Sequence, residues 1–171
     1  SDTAEMQNVK LENTNVTGKQ YTGALVGRNE GTITDSYATG AVTGAGTYVG
    51  GLVGFNTKAI SGSYTTGTVN GQQRTGGLAG ENKGTITNSY ATGAVTSADD
   101  YVGGLVGYNQ QNSSITDSYA IGKVFGRQRT GGLVGESNGT IASSYSTGAV
   151  TSAYDYVGGL VGYNSGSIIN S

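Results

Sequence analysis

One phrase, Gly-Gly-Leu-Val-Gly with small variations, occurs six times in this chain, at 23–27, 50–54, 76–80, 103–107, 131–135 and 158–162. The leucines at its centre, Leu25, Leu52, Leu78, Leu105, Leu133 and Leu160, recur every 26 to 28 residues. At such a period each unit is one supersecondary element that cannot bury its apolar face alone and must stack on its neighbours. The period predicts a stacked-repeat architecture, and with it an extended surface in place of one concave site.

Aligned on the leucines, the chain shows an isoleucine column (Ile33, Ile60, Ile86, Ile115, Ile141, Ile168) and a valine column (Val16, Val42, Val69, Val95, Val124, Val150). Leu to Ile takes eight residues, with one insertion at Gln110 to Ser114; Ile to Val takes nine; Val to the next Leu takes nine or ten. Each step is the length of a short strand plus a bend, and Gly-rich bends supply corners. We read an all-β, three-sided β-solenoid (β-helix) of about six coils of 26–28 residues, with Leu, Ile and Val stacked inside. Residues 16–171 form the array, truncated in the sixth unit, and residues 1–15 read as a degenerate coil or cap.

Between the Ile and Val columns every serine of one column (Ser36, Ser63, Ser89, Ser118, Ser144) is followed by a tyrosine (Tyr37, Tyr64, Tyr90, Tyr119, Tyr145). Counting back from Val in steps of two puts Ser, Ala and Gly inward and Tyr outward, whereas counting forward from Ile reverses this. A bend must therefore fall between them, at the Asp-Ser or Thr-Gly pair, and we favour outward tyrosines. The asparagines after the repeated phrase (Asn29, Asn56, Asn82, Asn109, Asn164, with Ser137 in the remaining coil) suit a turn whose amides bond backbone within a coil and one another between coils.

Alternate coils differ. The loops holding Lys19, Arg74, and Arg127 with Arg129 are short and basic, and those holding Asp99 with Asp100, and Asp155, are one residue longer and acidic. In a stack this places basic loops between acidic ones. The same parity sets Phe55, Tyr108 and Tyr163 against Arg28, Glu81 and Glu136. A two-unit coil of about 54 residues is the alternative geometry that would produce it.

The phrase G-G-L-V-G, with S-Y-x-T-G-x-V between copies, resembles the GLUG repeats of bacterial surface proteins over residues 16–171. In that family such arrays occur in large secreted adhesins of the filamentous-haemagglutinin kind and in immunoglobulin-A-cleaving metalloproteases. The resemblance implies an extracellular, cell-attached stalk or adhesive module. The zinc site of those proteases does not carry over, because the chain has no histidine for an H-E-x-x-H helix.

Composition narrows the chemistry further. With no His or Cys there is no Ser triad of the usual kind, no Cys nucleophile and no thiolate metal site, and no cofactor is expected. A net charge of -2 over mixed signs gives no footprint for nucleic acid, and no apolar run is long enough to span a membrane. Asp35 and Asp117 share a column but lie three coils apart, roughly 14 Å, too far for paired acid-base catalysis. Asp99 and Asp155, with Arg127 and Arg129 between them, resemble a polysaccharide lyase or hydrolase groove and read more simply as a neutralised turn face. Calcium at Asp99, Asp100 and Asp155 lacks the Gly-Asp nonapeptide pattern of calcium rolls.

The sequence thus reads as a non-catalytic spacer with a binding face for a glycan or a host or cell-surface protein. The candidate contacts are the aromatics Tyr48, Phe55, Tyr101, Tyr108, Tyr156 and Tyr163. The alternative is an ice-binding solenoid using Thr39, Thr66, Thr92 and Thr147, a column broken by Ile121; a carbohydrate-active β-helix enzyme fragment is a further one. Beginning without Met and ending within a repeat, the chain reads as a piece of a longer protein, whose uncapped last coil is expected to associate end to end.

Overall fold

A computed structural model describes residues 4–171 as twenty-nine short strands with no helix. The repeat explains this order directly. β-branched and aromatic residues hold each strand extended, and glycine or asparagine at the joints turns the chain every few residues. One coil runs through Tyr48–Gly50, Val53–Asn56, Ala59–Ser61, Tyr64–Thr65 and Val69–Gly71. The next starts at Thr75–Gly76.

All strand pairs among the described residues are parallel, and each strand of the inner coils meets its equivalents one coil below and one above. Val69 pairs with Val42 and with Val95, and Ile86 with Ile60 and with Ile115. One unit therefore makes one turn, and the two-unit coil is ruled out. The coils build four sheets, of seven, ten, six and six strands. The Leu, Ile and Val columns mark the three sequence steps, and the fourth sheet arises because the chain doubles back at each Gly-Gly-Leu.

The interior has two compartments. Leu52, Leu78, Leu105 and Leu133 join the isoleucines, Ala38, Ala91 and Ala120 in the larger one. Val42, Val69, Val95 and Val124 pack with Val49 and Val102 in the smaller. In the smaller one Thr75 and Thr130 alternate with these last valines and are equally buried. At the N-terminal end Glu5–Gln7 lies in register with Thr32–Thr34, Met6 facing Ile33, and Lys10–Gly18 pairs alongside the Tyr-to-Val strand with a bulge. The first three residues of the expected cap at 1–15 lie outside the described residues.

The phase conflict between Ile and Val is settled one residue before each serine. Asp35, Asn88, Asp117 and Ser143 take positive φ of 47–49°, and Gly62 takes 57°. That bend turns Ser and Ala in and Tyr out. Each serine is then tied twice: Ser89 Oγ donates to Thr87 O at 2.7 Å and accepts from Ser63 N–H at 3.2 Å. The asparagines form the second ladder, Asn29 Nδ2 donating to Asn56 Oδ1 at 2.8 Å, and Asn56 to Asn82 and Asn82 to Asn109 at 2.9 Å. Ser137 Oγ continues it by accepting from Asn109 at 3.2 Å.

Candidate binding faces

The repeated glycines decide where the candidate aromatics stand. Thr75–Gly76 and Ala79–Asn82 run back to back, with Leu78 at the bend pointing into the core. Almost nothing separates them: a Cβ on Gly80 would lie 2.5 Å from Val49 N and 2.7 Å from Arg74 O. Such contacts exclude any side chain, so the arch closes backbone on backbone. The residues flanking it, Arg74 and Glu81, are thereby brought side by side, Arg74 partly exposed and Glu81 buried.

Repeated over the coils, this gives two adjacent columns. One reads Tyr21, Tyr48, Arg74, Tyr101, Arg129, Tyr156, and the other Arg28, Phe55, Glu81, Tyr108, Glu136, Tyr163. From Tyr48 onward an aromatic pair on one coil alternates with an ion pair on the next. The Arg74 guanidinium sits 5.3 Å from the ring centres of Tyr48 and Tyr108 and 5.6 Å from Tyr101. It donates to Glu81 Oε2 at 2.6 Å and to the Tyr48 hydroxyl at 3.1 Å. Gln110 donates to the other carboxylate oxygen of Glu81.

Arg129 repeats the arrangement between Tyr101, 4.8 Å away, and Tyr163, 5.7 Å away. Its Nε lies 3.1 Å from Glu136 Oε2 in an ion pair that lacks hydrogen-bond alignment. Burial pushes the carboxyls of Glu81 and Glu136 above their ordinary pKa, and the neighbouring arginines oppose this without cancelling it. The Tyr108 phenol is raised as well, by burial first and by Glu136 next.

All six candidate aromatics therefore share one face, as lining for arginine or for one another. Phe55 meets Tyr48 edge-on at 5.4 Å with Arg28 over its ring, and Tyr156 meets Tyr163 edge-on at 5.6 Å. Tyr156 and Tyr163 are the most open of the set, 49% and 40% exposed. The loop charges depart from the expected alternation. Among the described residues only Arg127 reaches an acid of a neighbouring loop, Asp99, at 3.3 Å. Arg74 and Arg129 turn inward, because a buried carboxylate seven residues on binds a guanidinium more strongly than a hydrated one. The parity was the available signal for these pairs, and it does not reveal that Glu81 is buried.

Two other columns reach the outer surface, the tyrosines and the threonines of the ice-binding alternative. Tyr37, Tyr64, Tyr90, Tyr119 and Tyr145 stack with ring centres 4.7–5.1 Å apart and planes within 12°. Their faces cover one another, and their edges remain outside. Thr39, Thr66, Thr92 and Thr147 lie on the outer surface with Ile121, 45% exposed, in the gap. Beside them Thr43, Asn70, Thr96, Phe125 and Thr151 are in register, Phe125 half exposed. Large side chains thus interrupt both threonine rows on the same coil.

Among the described residues no group of three or more His, Cys, Asp or Glu is placed to hold a metal ion, and no helix is long and apolar enough to cross a membrane. The family model of the GLUG motif matches residues 18–43, 45–70, 71–96 and 100–124, together more than half of the chain. Halomucin of Haloquadratum walsbyi is 41% identical over 78 residues, covering 41% of this chain and 1% of halomucin. The chain thus spans a very small part of that relative. No solved structure matches it.

Proposed function

Since this chain belongs to the GLUG-motif family, we propose that it is a stiff, non-catalytic spacer segment of an extracellular, cell-surface protein of the bacterial adhesin type, with one side face available to a glycan or protein partner. The observation that carries the reading is the continuity of the ladders. Asparagine amides, serine hydroxyls and tyrosine rings each bind the next coil, so neighbouring coils are fixed to each other at several points around the turn. Stability in such a stack resides in nearest-neighbour interfaces and permits indefinite extension. The surface location is supported by the resemblance of the repeat to those of surface proteins and by the segment shared with halomucin, a mucin by name.

Small-angle scattering on tandem arrays of increasing coil number tests the spacer. The maximum dimension is expected to grow by about 4.8 Å per added coil, the spacing of paired strands. A dimension that grows as the square root of coil number would refute stiffness.

A further inference from the structure

The alternation of loop lengths cuts a notch into the side of the solenoid. Val124 to Leu133 spans nine residues, whereas Val95 to Leu105 below it and Val150 to Leu160 above it span ten. The short loop is the floor and the two longer loops are the walls. They are held in place by backbone bonds from Tyr101 N to Gln128 O at 3.2 Å, Arg129 N to Asp155 O at 3.3 Å and Tyr154 N to Arg127 O at 2.9 Å. The notch holds about 230 Å³ and is lined by Asp100, Arg127, Gln128, Tyr154 and Asp155.

The lining has a definite chemistry. Arg127 is tethered to Asp99 and lies 5.2 Å from the Tyr154 ring centre, while Tyr154 as a residue remains 61% exposed. Asp100 and Asp155 line the notch from its two opposite walls, and their carboxylates belong to none of the ion pairs among the described residues. Two free acceptors, an amide that both donates and accepts, a guanidinium and an open aromatic ring are the groups that bind a ring bearing hydroxyls on its edge and C–H bonds on its face. The volume falls below the roughly 300–1,000 Å³ of drug-sized sites, which limits the occupant to one ring. Two unpaired carboxylates repel an anion. The preceding short loop offers no such site, because its lower wall carries Gly46 and Thr47 where Asp99 and Asp100 stand here, and its upper wall carries Asp99 in the place of Tyr154.

We infer that the notch over Arg127 and Gln128 binds a single uncharged pyranose unit of a glycan. The inference rests on the side-face reading above and gives it a ligand class. The test is a titration of the isotope-labelled chain, followed by amide NMR, with methyl glucoside, galactoside and mannoside, and with glucuronic acid. At least one neutral sugar is expected to shift amides of 99–101, 127–129 and 154–156, and glucuronic acid to bind far more weakly. Tyr154→Ala and Asp100→Asn with Asp155→Asn are expected to weaken binding about tenfold or more, while Asn70→Ala on the flat face leaves it unchanged. All these positions are on the surface, and the spectrum of each variant reports whether it folds. Absence of shifts with every neutral sugar, equal binding of glucuronic acid, or an unaltered affinity in Tyr154→Ala would each overturn the assignment. Scattering that still shows a rod in that event leaves the spacer standing without its sugar.

Discussion

Arg74 and Glu81 face each other across a glycine arch, with Nη1 of the arginine 2.6 Å from Oε2 of a glutamate that is 1% exposed. A carboxylate so placed is tolerated only with its partner. Arg74→Ala is expected to destabilise the array by roughly 3–5 kcal/mol, the cost of an uncompensated buried charge. Adding Glu81→Gln to that variant should recover part of the loss. Urea unfolding of the three proteins provides the comparison.

The same pair sets a pH dependence. The folded chain binds a proton at Glu81 and Glu136 more tightly than the unfolded chain does, since burial raises both groups. Their stabilising contribution is thus complete below the ordinary carboxylate pKa and is lost as pH rises through the folded value. Denaturation midpoints should show this loss on going from acidic to neutral pH, and Glu81→Gln with Glu136→Gln should flatten it. An unchanged slope in the double variant would show that these carboxyls are not its source.

Asn82 donates to Asn109 and accepts from Asn56. Asn82→Ala takes one partner from the Asn56 amide, which keeps Lys58 O, and one from Asn109 Oδ1, which keeps Ser113 Oγ, and is expected to cost about 1–3 kcal/mol in all. Asn164, whose amide is exposed and whose side-chain bonds stay within its own turn, is expected to tolerate alanine with a loss under about 1 kcal/mol. Thermal melts of both variants distinguish the ladder from an ordinary turn preference, which would predict equal losses.

Gly80→Ala should prevent the arch from closing, because its Cβ would meet backbone atoms at 2.5–2.7 Å on three sides. At Gly159 the space a methyl group would fill is open, with no atom within 4 Å, so Gly159→Ala is expected to fall within about 0.5 kcal/mol of the parent. Circular dichroism and melting of each variant decide the point.

Leu105 is fully buried in the larger core compartment. Truncating it to alanine is expected to cost roughly 2–5 kcal/mol. A melt indistinguishable from the parent would mean that the leucine column does not support the stack.

Much of this was legible in the sequence, because a repeat is an alignment of the chain with itself. The inward Leu, Ile and Val columns and the asparagine ladder follow from spacing and side-chain chemistry alone, whereas spacing required a bend between Ile and Val without choosing between the Asp-Ser and the Thr-Gly pair. The fold-back at Gly-Gly-Leu was not legible, since a glycine that provides a corner and one that admits a second backbone look identical in sequence. The inward turn of Arg74 and Arg129 was hidden for the same reason: only the arch brings position 74 beside position 81. The notch could be anticipated from the one-residue difference between neighbouring loops, yet its lining depends on which loops become walls.

The checkerboard of rings and ion pairs also constrains how such a gene can change. Deleting the single coil that carries Tyr101 and Tyr108 would set Arg74 on Arg129 and Glu81 on Glu136, like charges about 4.8 Å apart. Deleting two successive coils restores every ring to its cation and every short loop to its place between long ones. Recombination among these near-identical repeats is therefore filtered by parity, and lineages carrying this array are expected to differ by even numbers of coils.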